Sequence, residues 1–142
     1  MSYVQVWIHG VWGTKNRQPY MDIESRGIIC SHIKGYSKEK QILIDTIDGF
    51  TDHLHCLFAL NADVALSKHL QFFKGESANW VNKNGLFKEQ FGWADDYFAA
   101  SVSKDKLGVV RAYIKNQHQH HQKISFQQEY DKFLKSFGYY QG

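Results

Sequence analysis

Apolar positions along the chain recur with two periods, and the switches between them mark out the elements. Tyr3-Val4-Gln5-Val6-Trp7-Ile8-His9-Gly10-Val11-Trp12 is dense in β-branched and aromatic residues, which predicts a first strand. Asn16-Arg17-Gln18-Pro19 contains the only proline and reads as a turn. Met21 to Tyr36 carries apolar residues at helical spacing behind Asp22 and Glu24, the residue types that suit a helix start. Gln41 to Ile47 predicts a second strand, Asp48-Gly49-Phe50-Thr51-Asp52 a turn, and His53 to Leu60 a third strand, so the two strands should form an antiparallel hairpin. Leu66, Leu70, Phe73 and Trp80 recur at helical intervals within Val64 to Asn82. Tyr97 to Val102 predicts a further strand, Lys106 to His121 one long helix, and Phe126 to Phe137 another.

That order predicts an α+β sandwich of ferredoxin or RNA-recognition (RRM-like) type, a mostly antiparallel sheet with helices packed on it. There is no internal repeat, low-complexity tract or linker, and 142 residues suit a single domain over 1–142. A hydrophobic fraction of 43% supplies a core, and 22% charged residues is far from a disordered composition. Met1 to Gly13 lacks the basic region and long apolar run of a signal peptide. No window approaches the roughly 20 apolar residues of a membrane span, so a cytoplasmic protein without a membrane partner is expected. Cys30 and Cys56 lie in apolar runs and should be free thiols that pack as small hydrophobes. A net charge of +3 permits a nucleic-acid partner without requiring one.

Eight histidines are the more unusual feature, and their placement decides what they can do. In a strand, alternate side chains face the same way, so His53 and His55 sit side by side while Leu54, Cys56 and Phe58 face the helices. Two imidazoles so placed can share a divalent metal, although two surface histidines at a strand edge have the same spacing. His118-Gln119-His120 offers a contrast. On a helix, residues two apart point about 200° apart, so these two cannot share an ion. His118 to Gln122 reads as a solvated helix end, where histidine suits the dipole. Tyr113 and Gln117 are four apart and share a helix face, and periodicity alone is equally consistent with a core tyrosine and a surface glutamine.

Gly49-Phe50-Thr51-Asp52-His53-Leu54-His55-Cys56-Leu57 resembles the Gly-x-x-Asp-His-hydrophobic-His strand of the HUH transposases, the single-tyrosine (TnpA-type) enzymes of the smallest bacterial insertion sequences. Further blocks resemble the family in the same order along nearly the whole chain. They are Trp12 to Pro19, Leu70 to Ser77, Phe91-Gly92-Trp93 with Ser101-Val102-Ser103, Tyr113-Ile114-Lys115-Asn116-Gln117 with His120-His121, and Phe126 to Tyr130 with Phe133-Leu134. Ala94, Asp96 and Ala100 stand where members often carry Gln, Gly and Phe, which implies a differently shaped loop before the last strand.

The resemblance implies Tyr113 as nucleophile, His53, His55 and Gln117 as metal ligands, and magnesium or manganese as the ion. It implies single-stranded DNA with a hairpin as substrate, and a homodimer whose nucleophile helix can serve the partner's metal site, with assembly within one chain or between two left open. Cleavage and rejoining would pass through a 5′-phosphotyrosine. Lys15, Arg17 and Lys74 are candidate DNA contacts, together with Lys68, Lys83 and Lys104. Trp12, Trp80, Trp93 and Tyr97 are candidates for stacking on bases. Val4, Val6 and Ile8 are candidates for a dimer edge, since an open strand needs cover. A non-catalytic RRM-like binding module and a domesticated relative that retains single-strand nicking are the alternatives.

Overall fold

The two-residue alternation sorts each strand's side chains onto two faces, and the chain covers those faces differently. The computed structural model describes residues 2–138, so Met1 and residues 139–142 of the domain expected over 1–142 lie outside the described residues. The elements run β1 (Trp7–Gly13), α1 (Ile23–Glu39), β2 (Ile44–Phe50), β3 (His53–Ala59), α2 (Leu66–Lys83), β4 (Phe98–Val102), α3 (Leu107–Lys115), α4 (Gln117–His120) and α5 (Phe126–Ser136). The strands form one four-stranded antiparallel sheet in the order β2-β3-β1-β4. This is the expected α+β, ferredoxin-like arrangement.

One face carries Ile8 and Trp12 of β1 and Leu54, Cys56 and Phe58 of β3. These pack into a large apolar core with Ile29 and Ile33 of α1 and Leu70, Phe73 and Val81 of α2. The opposite face carries His9, Val11, His53 and His55 and is covered by the C-terminal helices. A smaller core of Val11, Phe98, Phe126 and Tyr130 seals it. Asp22 caps α1 by accepting from the Ser25 amide at 2.8 Å. Ser125 and Gln128 form a reciprocal capping box that fixes the start of α5. Both cysteines are free and buried. Among the described residues no helix is long and apolar enough to cross a membrane.

Four expectations need correction. The first strand begins at Trp7, and Tyr3, Val4 and Val6 before it are exposed. β1 is hydrogen-bonded on both sides and Ile8 is buried, so it is an interior strand and not a dimer edge. The second strand runs later than its apolar pattern suggests, because Asp48, Gly49 and Phe50 pair with His55, Leu54 and His53. Gly49 has the look of a turn residue but serves close approach. A Cβ there would run into the His53 carbonyl oxygen and lie 2.8 Å from Leu54 Cα. The single helix expected over 106–121 breaks at Asn116, whose amide turns back to Ala112 and Tyr113. The polar run Asn116-Gln117-His118-Gln119-His120 has weak helix propensity, so tertiary contacts decide its path.

Candidate active site

β3 supplies the first two groups. His53 and His55 are both 0% exposed, so they are not the surface pair that the same spacing permits. His53 lies flat against the Phe126 ring, with centroids 4.1 Å apart, and its Nδ1 is 2.9 Å from Asp52 Oδ1. His55 Nδ1 is 2.8 Å from His9 Nε2 on the neighbouring strand. The Nε2 atoms of both imidazoles point toward the C-terminal helices.

Those helices bring the rest. Tyr113, Gln117 and His121 recur every four residues and face the sheet together. Gln117 is 0% exposed, and its Oε1 lies 2.9 Å from His53 Nε2. From α5, Glu129 enters between them at 2% exposure. Its Oε1 is 3.0 Å from His55 Nε2, 3.4 Å from His53 Nε2 and 3.2 Å from His121 Nε2. Its Oε2 accepts from the Tyr113 hydroxyl and, at 3.2 Å, from Gln117 Nε2. One ligand atom from each of His53, His55, His121 and Glu129 lies within 4.8 Å of the others, a cluster that can hold a metal ion. Tyr113 reaches this cluster within its own chain.

The electrostatics follow from burial and crowding. Burial pushes the Glu129 carboxyl up, but the imidazoles of His121, His53 and His55 outweigh it and hold it well below the usual carboxylate range. Burial lowers His55 to about 3 and His9 to about 4, so both are neutral near pH 7. Burial alone would lower His53 too, yet its bonds to Asp52, Glu129 and Gln117 raise it. Burial, and then the Glu129 carboxylate, push the Tyr113 phenol well above its ordinary value. The resting site therefore holds an anionic Glu129 and a protonated Tyr113.

The structure thus brings Tyr113, His53, His55 and Gln117 together. It also adds His121 and Glu129, which sequence reasoning missed. His121 lies within the run that reads as a solvated helix end, yet it is buried, whereas His118, Gln119 and Gln122 there are exposed. The four-residue spacing from Tyr113 through Gln117 to His121 is the signal that could have found it. For Glu129 the signal is an acid on an apolar stripe, between Phe126 and Tyr130 on the inward face of α5.

The candidate DNA residues divide. Trp12 and Trp93 are buried in the core, and the half-buried Trp80 stacks one face on His32 at 3.9 Å. The Arg17 guanidinium lies over Phe126 at 4.6 Å and so helps dock α5. Gly13 leaves room for it, since a Cβ there would sit 2.7 Å from the Phe126 ring. Lys15 is exposed. Lys74 donates to the Asp95 carbonyl at 2.9 Å, beside Lys68, Trp93 and Tyr97 in a cavity of about 500 Å³.

A buried cluster of imidazoles and one carboxylate, able to hold a metal ion, thus lies against a tyrosine on the polar face of the sheet. The family model described as Transposase IS200 like matches residues 2–117, and the chain belongs to that family. A protein from Deinococcus radiodurans R1 described as a transposase shares the fold with a TM-score of 0.65 at 19% identity, over 82% of this chain and 94% of that one. A REP-associated tyrosine transposase bound to a REP hairpin shares it with a TM-score of 0.62 at 14% identity, over 85% of this chain and 72% of that one. No curated protein matches the sequence.

Proposed function

We propose that this chain cleaves and rejoins single-stranded DNA at the ends of an insertion sequence, with Tyr113 as the nucleophile. The observation that carries the reading is the convergence of Tyr113, His53, His55, Gln117 and Glu129 at one buried point on the polar sheet face. Membership of the IS200-like family supports it. The tyrosine transposase bound to a REP hairpin supports a hairpin-bearing strand as substrate.

The donor chemistry fits a divalent cation such as magnesium or manganese, which His53 and His55 would hold with Gln117 beside them. When bound, the cation would draw charge from the scissile phosphate. The other steps belong to the chain itself. Tyr113 forms an O–P bond and the P–O3′ bond breaks, which leaves a 5′-phosphotyrosine and a 3′-hydroxyl. The phenolic proton leaves along its hydrogen bond to Glu129, and the departing 3′-oxygen takes up a proton. A second 3′-hydroxyl then attacks the phosphotyrosine and restores Tyr113, so rejoining needs no nucleotide cofactor. The homodimer that the resemblance implies would pair two sites, each already assembled within its own chain. Exposed Lys15 and the Lys68–Lys74 cavity would contact phosphates.

The test is incubation with manganese and single-stranded DNA from the ends of the gene's own locus, read on a denaturing gel. A covalent adduct should form, and Tyr113→Phe should abolish it while DNA binding survives. An undiminished adduct in Tyr113→Phe would remove Tyr113 from the mechanism.

A further inference from the structure

We propose that His121 and Glu129 are direct metal ligands, giving a centre of three imidazoles and one carboxylate that prefers manganese and its first-row neighbours to magnesium. The inference rests on the metal-dependent reading above and replaces Gln117 as the third ligand.

The argument begins with hydrogen bonds that the neighbours dictate. His121 Nδ1 lies 2.8 Å from the Ile124 carbonyl, which can only accept, so Nδ1 carries the hydrogen. A neutral His121 then presents a lone pair at Nε2. That atom is buried and has no hydrogen-bond partner. Its nearest facing group is Glu129 Oε1 at 3.2 Å, which is itself an acceptor. At His53, Nδ1 donates to the Asp52 carboxylate, and Nε2 faces two acceptors, Gln117 Oε1 at 2.9 Å and Glu129 Oε1 at 3.4 Å, a place for either a proton or a cation. Neutral His9 can accept from His55 Nδ1, which frees His55 Nε2 to face the same oxygen. Acceptors facing one another across a dry site need a proton or a cation between them, and one metal ion would serve all of these at once.

The spacing suits one. Bonds of about 2.1 Å in a tetrahedron give ligand separations of roughly 3.4 Å, and the separations here from Glu129 Oε1 to the imidazoles are 3.0, 3.4 and 3.2 Å. Each histidine also has its far nitrogen held, by Asp52, His9 and the Ile124 carbonyl, which is the usual outer support of a metal-binding imidazole. Gln117 Nε2 supports Glu129 from outside, at 3.2 Å from Oε2. Three imidazoles favour first-row transition ions, whereas magnesium prefers oxygen donors and its own waters. Because Glu129 sits on α5, ion binding should also fasten that helix over Tyr113.

The test uses the full chain, without DNA and freed of metal. Calorimetry should show manganese binding more tightly than magnesium. Glu129→Gln and His121→Asn should each weaken manganese binding by more than about 100-fold, beyond the span usual for outer-shell losses, and Gln117→Ala by less. Cobalt should give a visible spectrum that both ligand variants alter. Hydrogen exchange along α5 should slow on adding manganese to the parent but not to Glu129→Gln. Glu129→Asp serves if Glu129→Gln fails to fold, and should shift the cobalt spectrum. If manganese affinity and spectrum survive both variants while His53→Ala abolishes them, the ligand pair is wrong and the DNA-cleaving reading stands. If the parent binds no divalent ion, both this inference and the metal in that reading fall, whereas loss of the Tyr113 adduct alone would leave this inference intact.

Discussion

The two faces of β3 are equally dry but held by different forces. Leu54, Cys56 and Phe58 on one side are 0% exposed, as are His53, His55 and Leu57 on the other. On the first face any apolar partner of the right shape stabilises the fold, since burial there is non-directional. On the second, each imidazole depends on a named partner such as Asp52, His9 or Glu129, and a missing partner leaves a buried polar group unsatisfied. One face is therefore held by apolar packing, and the other holds a polar cluster whose cost that packing must offset.

The largest expected effect tests that division. Phe58→Ala removes a fully buried ring among Phe73, His69 and Leu70 and should cost about 3–5 kcal/mol in urea unfolding. In the metal-free protein His55→Ala should cost less, because the loss of its bonds to His9 and Glu129 is partly offset by removing an imidazole whose burial is itself unfavourable. Equal losses would mean that the polar face is as stabilising as the apolar one. A smaller effect sharpens the comparison. Asp52→Asn keeps the shape but weakens the hold on His53 Nδ1, so manganese affinity should fall by about 10–100-fold with little change in the unfolding midpoint.

The smallest effect lies outside both faces. Arg111 on α3 forks onto Asp45 of β2 with two bonds of 2.8 Å, tying a site helix to the sheet. That bond holds the Asp45 carboxyl at about 2, below its ordinary 3.8. The ionised form thus favours folding, and the contribution is whole above about pH 4 and lost as pH falls through about 2. The pair is solvated, so its contribution should be small. Asp45→Asn should therefore lower the thermal midpoint slightly at pH 7, with the difference shrinking below pH 4 and vanishing only well below pH 2.

These contrasts also explain what could be read from the chain. Period-2 and period-3.6 patterns located every strand and most helices, because both depend on local apolar spacing. The Gly49 boundary was misplaced because a glycine serving close strand approach looks the same as one serving a turn. The helix break at Asn116 is set by tertiary contacts of Gln117 and His121, which no local pattern encodes. Tyr113, His53, His55 and Gln117 were legible through resemblance and strand geometry. His121 shows in the sequence only through its four-residue spacing from Tyr113 and Gln117, which the polar run of His and Gln around it masks. Glu129 shows only as an acid on an apolar stripe, and packing decides that it meets three imidazoles.

The most direct measurement is mass spectrometry of the protein digested after reaction with manganese and single-stranded end DNA. A peptide carrying a nucleotide 5′-phosphate on Tyr113 is the predicted result. A nucleotide on any other residue, or cleaved DNA with no covalent link to protein, would contradict the account.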